Sequence, residues 1–129
     1  MTENQRVVGK VVNFHLPADD VERAATFYRE VFGWEFQPFP DSPVPYFVHT
    51  NVDGGAGIPA AITARQDVVK APTPTIEVEN IDDALIAVAM KGGQQGRVQD
   101  IPGLGRFGYA IDSEGNVIAL LQRVLTPGG

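Results

Sequence analysis

Apolar and polar positions alternate from residue 11 to residue 16, and the period then changes. Val12, Phe14 and Leu16 fall on one side of a strand and Val11, Asn13 and His15 on the other, because successive strand side chains point to opposite faces. From residue 21 the apolar residues Val21, Ala24, Ala25, Tyr28, Val31 and Phe32 recur at spacings of three and four, the stripe of an amphipathic helix. The spacing predicts a helix over about residues 20–32. Asp19 is placed to cap it, Glu22 to complete a capping box, and Gly33 to end it in the left-handed conformation.

The same order returns at an offset of 60, where Leu16, Ala18, Asp20, Val21, Ala24 and Gly33 recur as Ile76, Val78, Asn80, Ile81, Ala84 and Gly93. Such internal repetition changes how every later motif is read. Thr73, Thr75 and Glu77 share one strand face and Ile76 and Val78 the other. Asn80 caps a second helix over about 81–91 with the stripe Ile81, Ala84, Leu85, Val88 and Ala89, and Gly92 and Gly93 end it. After each helix come short β-like pieces broken by Gly and Pro: Trp34 to Phe39, Tyr46 to Asn51 and Ile58 to Arg65, then Gly96 to Gln99, Phe107 to Asp112 and Asn116 to Gln122. Asp112-Ser113-Glu114-Gly115-Asn116 closes the last hairpin, its Gly and Asn both favouring positive φ. Each copy therefore reads as βαβββ, module 1 over about 7–66 and module 2 over about 72–124 of a single domain spanning 1–129.

Composition narrows the chemistry. The chain has 129 residues, 43% hydrophobic and 20% charged, which is an ordinary globular balance able to build one core. With no cysteine, disulfide frameworks, thiolate zinc sites, iron–sulfur clusters and cysteine nucleophiles are excluded. A net charge of -6 with only 10 Lys and Arg removes the electrostatic term that holds a phosphate backbone, so no nucleic-acid partner is expected. The start Met-Thr-Glu-Asn-Gln-Arg lacks the apolar run of a secretory signal, and the apolar stretch Ala84 to Met90 is too short for a bilayer. A cytoplasmic protein with no membrane partner is the expectation.

Phe14-His15-Leu16-Pro17-Ala18-Asp19-Asp20, Phe27-Tyr28-Arg29-Glu30-Val31-Phe32-Gly33-Trp34 and Asp112-Ser113-Glu114-Gly115-Asn116 resemble the vicinal oxygen chelate superfamily, the fold of glyoxalases, bleomycin-resistance proteins and extradiol dioxygenases. The run Ile101-Pro102-Gly103-Leu104-Gly105-Arg106-Phe107 is similar to the glyoxalase-related bacterial branch. The resemblance implies an α+β fold in which two βαβββ modules form a half-open eight-stranded mixed β-barrel with a small-molecule cleft, often completed as a homodimer. It also implies, in members with metal chemistry, one His or Glu ligand on each of four strands. Carried across, those positions fall on Asn13, Thr73, Ala119 and the segment Ala61 to Thr63, where the expected donors are missing. No metal and no cofactor is therefore expected.

The remaining chemistry lies on strand faces. His15 stands beside Asn13 and should look into the cleft, where Thr73, Thr75 and Glu77 approach from the second copy. A His with a carboxylate can act as a general base near neutral pH; equally, His15 and Glu77 can be solvated strand residues. His49 has no evident sequence partner. Tyr109, with Trp34, Phe36, Tyr46, Phe47 and Phe107, supplies aromatic surface suited to a cleft wall or to the core, and Arg106 follows a Gly-rich loop where it can grip an anion. Three readings stand: a metal-free protein that binds a small molecule; a metal-dependent lyase, isomerase or dioxygenase with shifted ligands such as His15 and Glu77; and an accessory interaction module without an active site.

Overall fold

The computed structural model describes residues 9–38, 46–49, 58–67 and 69–123. It divides into two compact units, Val12–Pro74 and Thr75–Gly129 with the first residues up to Val11. The first holds most of β1 (Gly9–Ala18), then α1 (Val21–Phe32), β2 (Phe36–Pro38), β3 (Tyr46–His49) and β4 (Ala60–Ala64). Its strands lie in the order β2-β3-β4-β1, and β4 returns parallel to β1 while the other pairs are antiparallel. The second holds most of β5 (Thr73–Val78), then α2 (Ile81–Met90), β6 (Gln94–Ile101), β7 (Gly105–Ile111) and β8 (Val117–Arg123). Its order is β5-β8-β7-β6 with β8 parallel to β5. The repeat is thus real: both copies are βαβββ modules with one topology, and the fold is α+β.

The unit boundary does not follow the module boundary expected near residue 7. The opening of β1 belongs with the second unit, where Gly9 lies so close to Ile76, Val78 and Glu77 that a side chain there would collide with them.

Each helix packs on one face of its sheet, as alternation requires. In the first unit Val21 and Ala25 of α1 meet Ala18 and Ile62, with Leu16, Ala24, Tyr28, Phe36 and Phe47 around them. In the second, Ile81, Ala84 and Leu85 of α2 meet Val78, Ala110 and Leu120, flanked by Ile76, Val98 and Ile118. Ile62 and Ile81 have no exposed surface, and burial of this kind stabilises by roughly 1.5–3 kcal/mol per side chain.

The helix ends correct one expectation. Asp20, not Asp19, caps α1: its carboxylate accepts from the Arg23 N–H at 3.0 Å, as Asn80 accepts from the Asp83 N–H at 3.0 Å for α2. Asp19 instead pairs with Arg65 at 2.9 Å. The two caps are 60 residues apart, so the repeat located the cap that a capping-box pattern centred on Asp19 had misplaced. Gly33 ends α1 at φ 75° and donates to the Arg29 carbonyl. At the end of α2, Gly92 takes φ 102° and Gly93 donates to the Val88 carbonyl at 2.8 Å, the longer of the two bonds that define a Schellman turn.

Two strand expectations also change. β6 runs from Gln94 to Ile101, well beyond the expected Gly96 to Gln99, and its register shifts between Gln95 and Val98. That irregularity and a mostly polar sequence hide the alternation. In the last hairpin Asp112 accepts from the N–H groups of Glu114 and Asn116, and only Gly115, at φ 88°, has positive φ. Among the described residues no helix is long and apolar enough to cross a membrane.

Candidate functional site

The helix-bearing faces are spent on the two cores, so chemistry must be sought on the faces turned away from them. In the first unit the β1–β4 register sets His15 beside Ala61, and the β3–β4 register sets Val48 on the other side of Ala61. His15 is only 2% exposed. Burial pushes its imidazole down to about 4, because an apolar surrounding disfavours the charged form. At neutral pH His15 is therefore a neutral imidazole, which contradicts both a solvated His15 and a His15 that changes charge near pH 7.

Asn13 lies two residues earlier on the same side of β1. Its Oδ1 is buried and has no hydrogen-bond partner among the described residues. Thr73, at the start of β5, is buried but donates its hydroxyl to the Ala71 carbonyl at 2.8 Å. The backbone of His49 pairs with Phe36 at the end of β3; its side chain falls outside the described residues.

In the second unit two rows cross the sheet on the face away from α2. The first is Thr75, Ala119 and Tyr109, and the second is Glu77, Leu121 and Phe107. Thr75 is 1% exposed, and its Oγ1 lacks a partner among the described residues. Tyr109 meets Phe107 edge to face, with ring centroids 5.2 Å apart at 86°. Burial pushes the Tyr109 phenol up to about 12, so it stays protonated and available as a donor. Glu77 is half-buried rather than solvated, and accepts from Arg123 Nε at 3.1 Å. Arg123, two residues beyond Leu121, escaped sequence reasoning; its parity with Ala119 and Leu121 was the signal that places it on this face.

Arg106 lies elsewhere. It shares parity with Gly108 and Ala110 on the helix-bearing face, donates to Asp82 Oδ2 at 2.8 Å and stands 3.5 Å from Asp100. The Arg106 hydrogen bond holds the Asp82 carboxyl below its ordinary range. The expected anion grip is thus replaced by an ion-pair network that ties β7 to the start of α2.

The family's metal positions can be tested against these side chains. Ala119 and Ala61 are buried methyl groups, Thr73 spends its hydroxyl on a neighbouring carbonyl, and Asn13 offers one neutral oxygen. Among the described residues no three His, Cys, Asp or Glu side chains gather. Divalent metals are held by imidazole, carboxylate or thiolate donors in number, so this set does not fit the ion.

Comparison with known proteins agrees on the scaffold. Residues 10–46 match the family model described as bleomycin resistance protein-like N-terminal. A glyoxylase-like domain-containing protein of Didymella fabae is 31% identical over 123 residues, covering 89% of this chain and 94% of the relative. Among solved structures, a hypothetical protein from Bacillus halodurans matches with a TM-score of 0.68 at 9% identity, over 92% of this chain and 96% of that one. Methylmalonyl-CoA epimerase of Streptomyces coelicolor, in complex with 2-nitronate-propionyl-CoA, matches with a TM-score of 0.62 at 14% identity, over 90% and 98%. At these identities the structural matches speak for the fold alone.

Proposed function

Because this chain belongs to the vicinal oxygen chelate superfamily, with a glyoxylase-like relative across nearly its whole length, we propose that it binds a small organic molecule without the superfamily's metal centre. The observation that carries this reading is the buried Thr75 Oγ1, without a partner among the described residues, on the face of the second unit away from α2, in the row it shares with Ala119 and Tyr109. An unsatisfied buried polar atom costs about 1–3 kcal/mol, and a ligand bearing complementary donors or acceptors offsets that cost on binding. The protonated Tyr109 phenol of the same row adds a polar contact that needs no counter-charge. The Phe107–Tyr109 pair supplies aromatic wall.

A metal enzyme with ligands shifted to His15 and Glu77 has less support, since Glu77 is engaged by Arg123. The epimerase neighbour binds a CoA ester, whose phosphates call for arginine or lysine. Here Arg65, Arg106 and Arg123 each already face a carboxylate of their own unit, and the net charge is -6. An uncharged or weakly anionic ligand suits this chain better than an acyl-CoA.

A thermal-shift screen of the purified protein against uncharged and anionic small molecules, with and without chelator, tests the proposal. A ligand that binds only the folded state must raise its stability. The expected hit survives chelator and weakens in Thr75→Val. A hit abolished by chelator, or no hit at all, would count against it.

A further inference from the structure

The face of the second unit turned away from α2 ends on an ion pair. The strand registers order that face in successive rows: Thr75, Ala119 and Tyr109, then Glu77, Leu121 and Phe107, then Arg123 and Gly105. Glu77 and Arg123 are the only charged residues in these rows. Exposure rises from the first row to the last. Thr75 and Ala119 are 1% and 0% exposed and Leu121 3%, while the Glu77 side chain is 27% exposed and that of Arg123 50%. A ligand coming from solvent therefore meets the ion pair before it reaches Thr75.

The order of the two charges decides what passes. Arg123 Nε donates to Glu77 Oε1 at 3.1 Å. A guanidinium binds carboxylates through a fork of N–H donors, so Arg123 by itself would draw anions to this face. Glu77 opposes that. A negative group seated in the Thr75 row has the Glu77 carboxylate one row away and Arg123 two rows away, and like charges brought together out of bulk water repel strongly. In the Thr75 row itself the polar groups are neutral: the Thr75 hydroxyl, without a partner among the described residues, and the protonated Tyr109 phenol, on either side of the Ala119 methyl. Hydroxyl donors suit the lone pairs of a carbonyl oxygen. The Phe107 and Tyr109 rings suit the flat body that carries it.

We propose that Glu77 is the specificity-determining residue of this face: by holding Arg123 it turns anions away and reserves the site for flat, uncharged ligands that carry a carbonyl oxygen. This selectivity rests on the metal-free binding proposed above and adds to it the charge of the ligand. Equilibrium dialysis of the full chain with cinnamamide and cinnamate, which share one flat skeleton and differ in charge, tests it. The wild-type protein should bind the amide about tenfold more tightly than the carboxylate, or better. In Glu77→Gln the carboxylate should gain about tenfold, because Arg123 is released to pair with it, and adding Arg123→Gln should remove that gain. Thr75→Val should weaken the amide by about fivefold through the lost hydrogen bond. If Glu77→Gln lacks a cooperative thermal transition, Arg123→Gln decides instead: Glu77 then stands alone, and the preference for the amide should widen by about tenfold. Equal binding of the two probes by the wild type, no gain for cinnamate in Glu77→Gln, a gain that survives Arg123→Gln, or neither probe bound would overturn the proposal. A thermal-shift hit indifferent to both Thr75→Val and Glu77→Gln would overturn it while leaving metal-free binding intact. Amide binding that disappears with chelator would overturn the two together.

Discussion

Modules 1 and 2 share a frame and part company on the face away from the helix. His15 in β1 and Thr75 in β5 are 60 residues apart, both at most 2% exposed, and each stands beside an alanine of the parallel strand, Ala61 or Ala119. One position holds a large neutral imidazole and the other a small hydroxyl. On the helix-bearing faces the copies stay close: Leu16 and Ile76, Ala18 and Val78, Val21 and Ile81, and Ala24 and Ala84 occupy matching places in the two cores. The comparison teaches that repeated residues build the scaffold, while the places where the repeat diverges are where each module has been given its own chemistry.

The helix-ending glycines break the comparison most severely. Gly33 has positive φ but nothing within 4 Å of where a Cβ would stand, whereas a Cβ on Gly93 would run into the Ile111 carbonyl and Val88. Gly33→Ala should cost about 1 kcal/mol for the left-handed backbone alone. Gly93→Ala should cost about 3 kcal/mol or more, because backbone must move. Urea unfolding of both variants checks the difference; equal losses would mean that the close approach at Gly93 is absent.

Next in size is a pH effect that only module 1 can show. The His15 imidazole is depressed from 6.5 to about 4 in the folded protein, so the unfolded chain binds its proton first as pH falls. Stability from this group is complete above about pH 6.5 and declines by roughly 3 kcal/mol on reaching pH 4. Replacing His15 by threonine, the residue of the matching position, should remove that decline between pH 6.5 and 4. Chemical denaturation across this range is the check, and parallel curves for the two proteins would refute the burial assigned to His15.

The smallest effects concern the caps. Asp20→Ala and Asn80→Ala should each cost about 1 kcal/mol, being equivalent caps. Asp19→Ala should cost less, because it breaks only an exposed pair with Arg65. An Asp19 variant less stable than the Asp20 variant would reverse the cap assignment.

Much of this architecture was legible from the sequence, for a physical reason. Core faces must repeat every two or 3.6 residues, so both helices, the parity of β1 and β5 and the βαβββ order could be read directly. Where two acidic residues adjoin, pattern alone could not choose between Asp19 and Asp20, although the offset to Asn80 could. The candidate site was legible by parity but not by partner. Asn13, His15, Thr75 and Glu77 fall on the faces expected, while the sequence leaves the face of Tyr109 open, and the pairing of Glu77 with Arg123 and of Arg106 with Asp82 depends on which strands adjoin. Arg106 shows the limit most clearly: one residue of parity separates it from Phe107, and that step carries it to the helix-bearing side.

The central claim, a ligand held without the family's metal, is met most directly by native mass spectrometry of gently purified protein together with elemental analysis. The account expects far less than one divalent metal per chain, and a small-molecule adduct or screened ligand whose binding is unchanged by chelator. A stoichiometric divalent metal that is lost in both His15→Ala and Glu77→Ala would contradict it and establish the shifted-ligand enzyme instead.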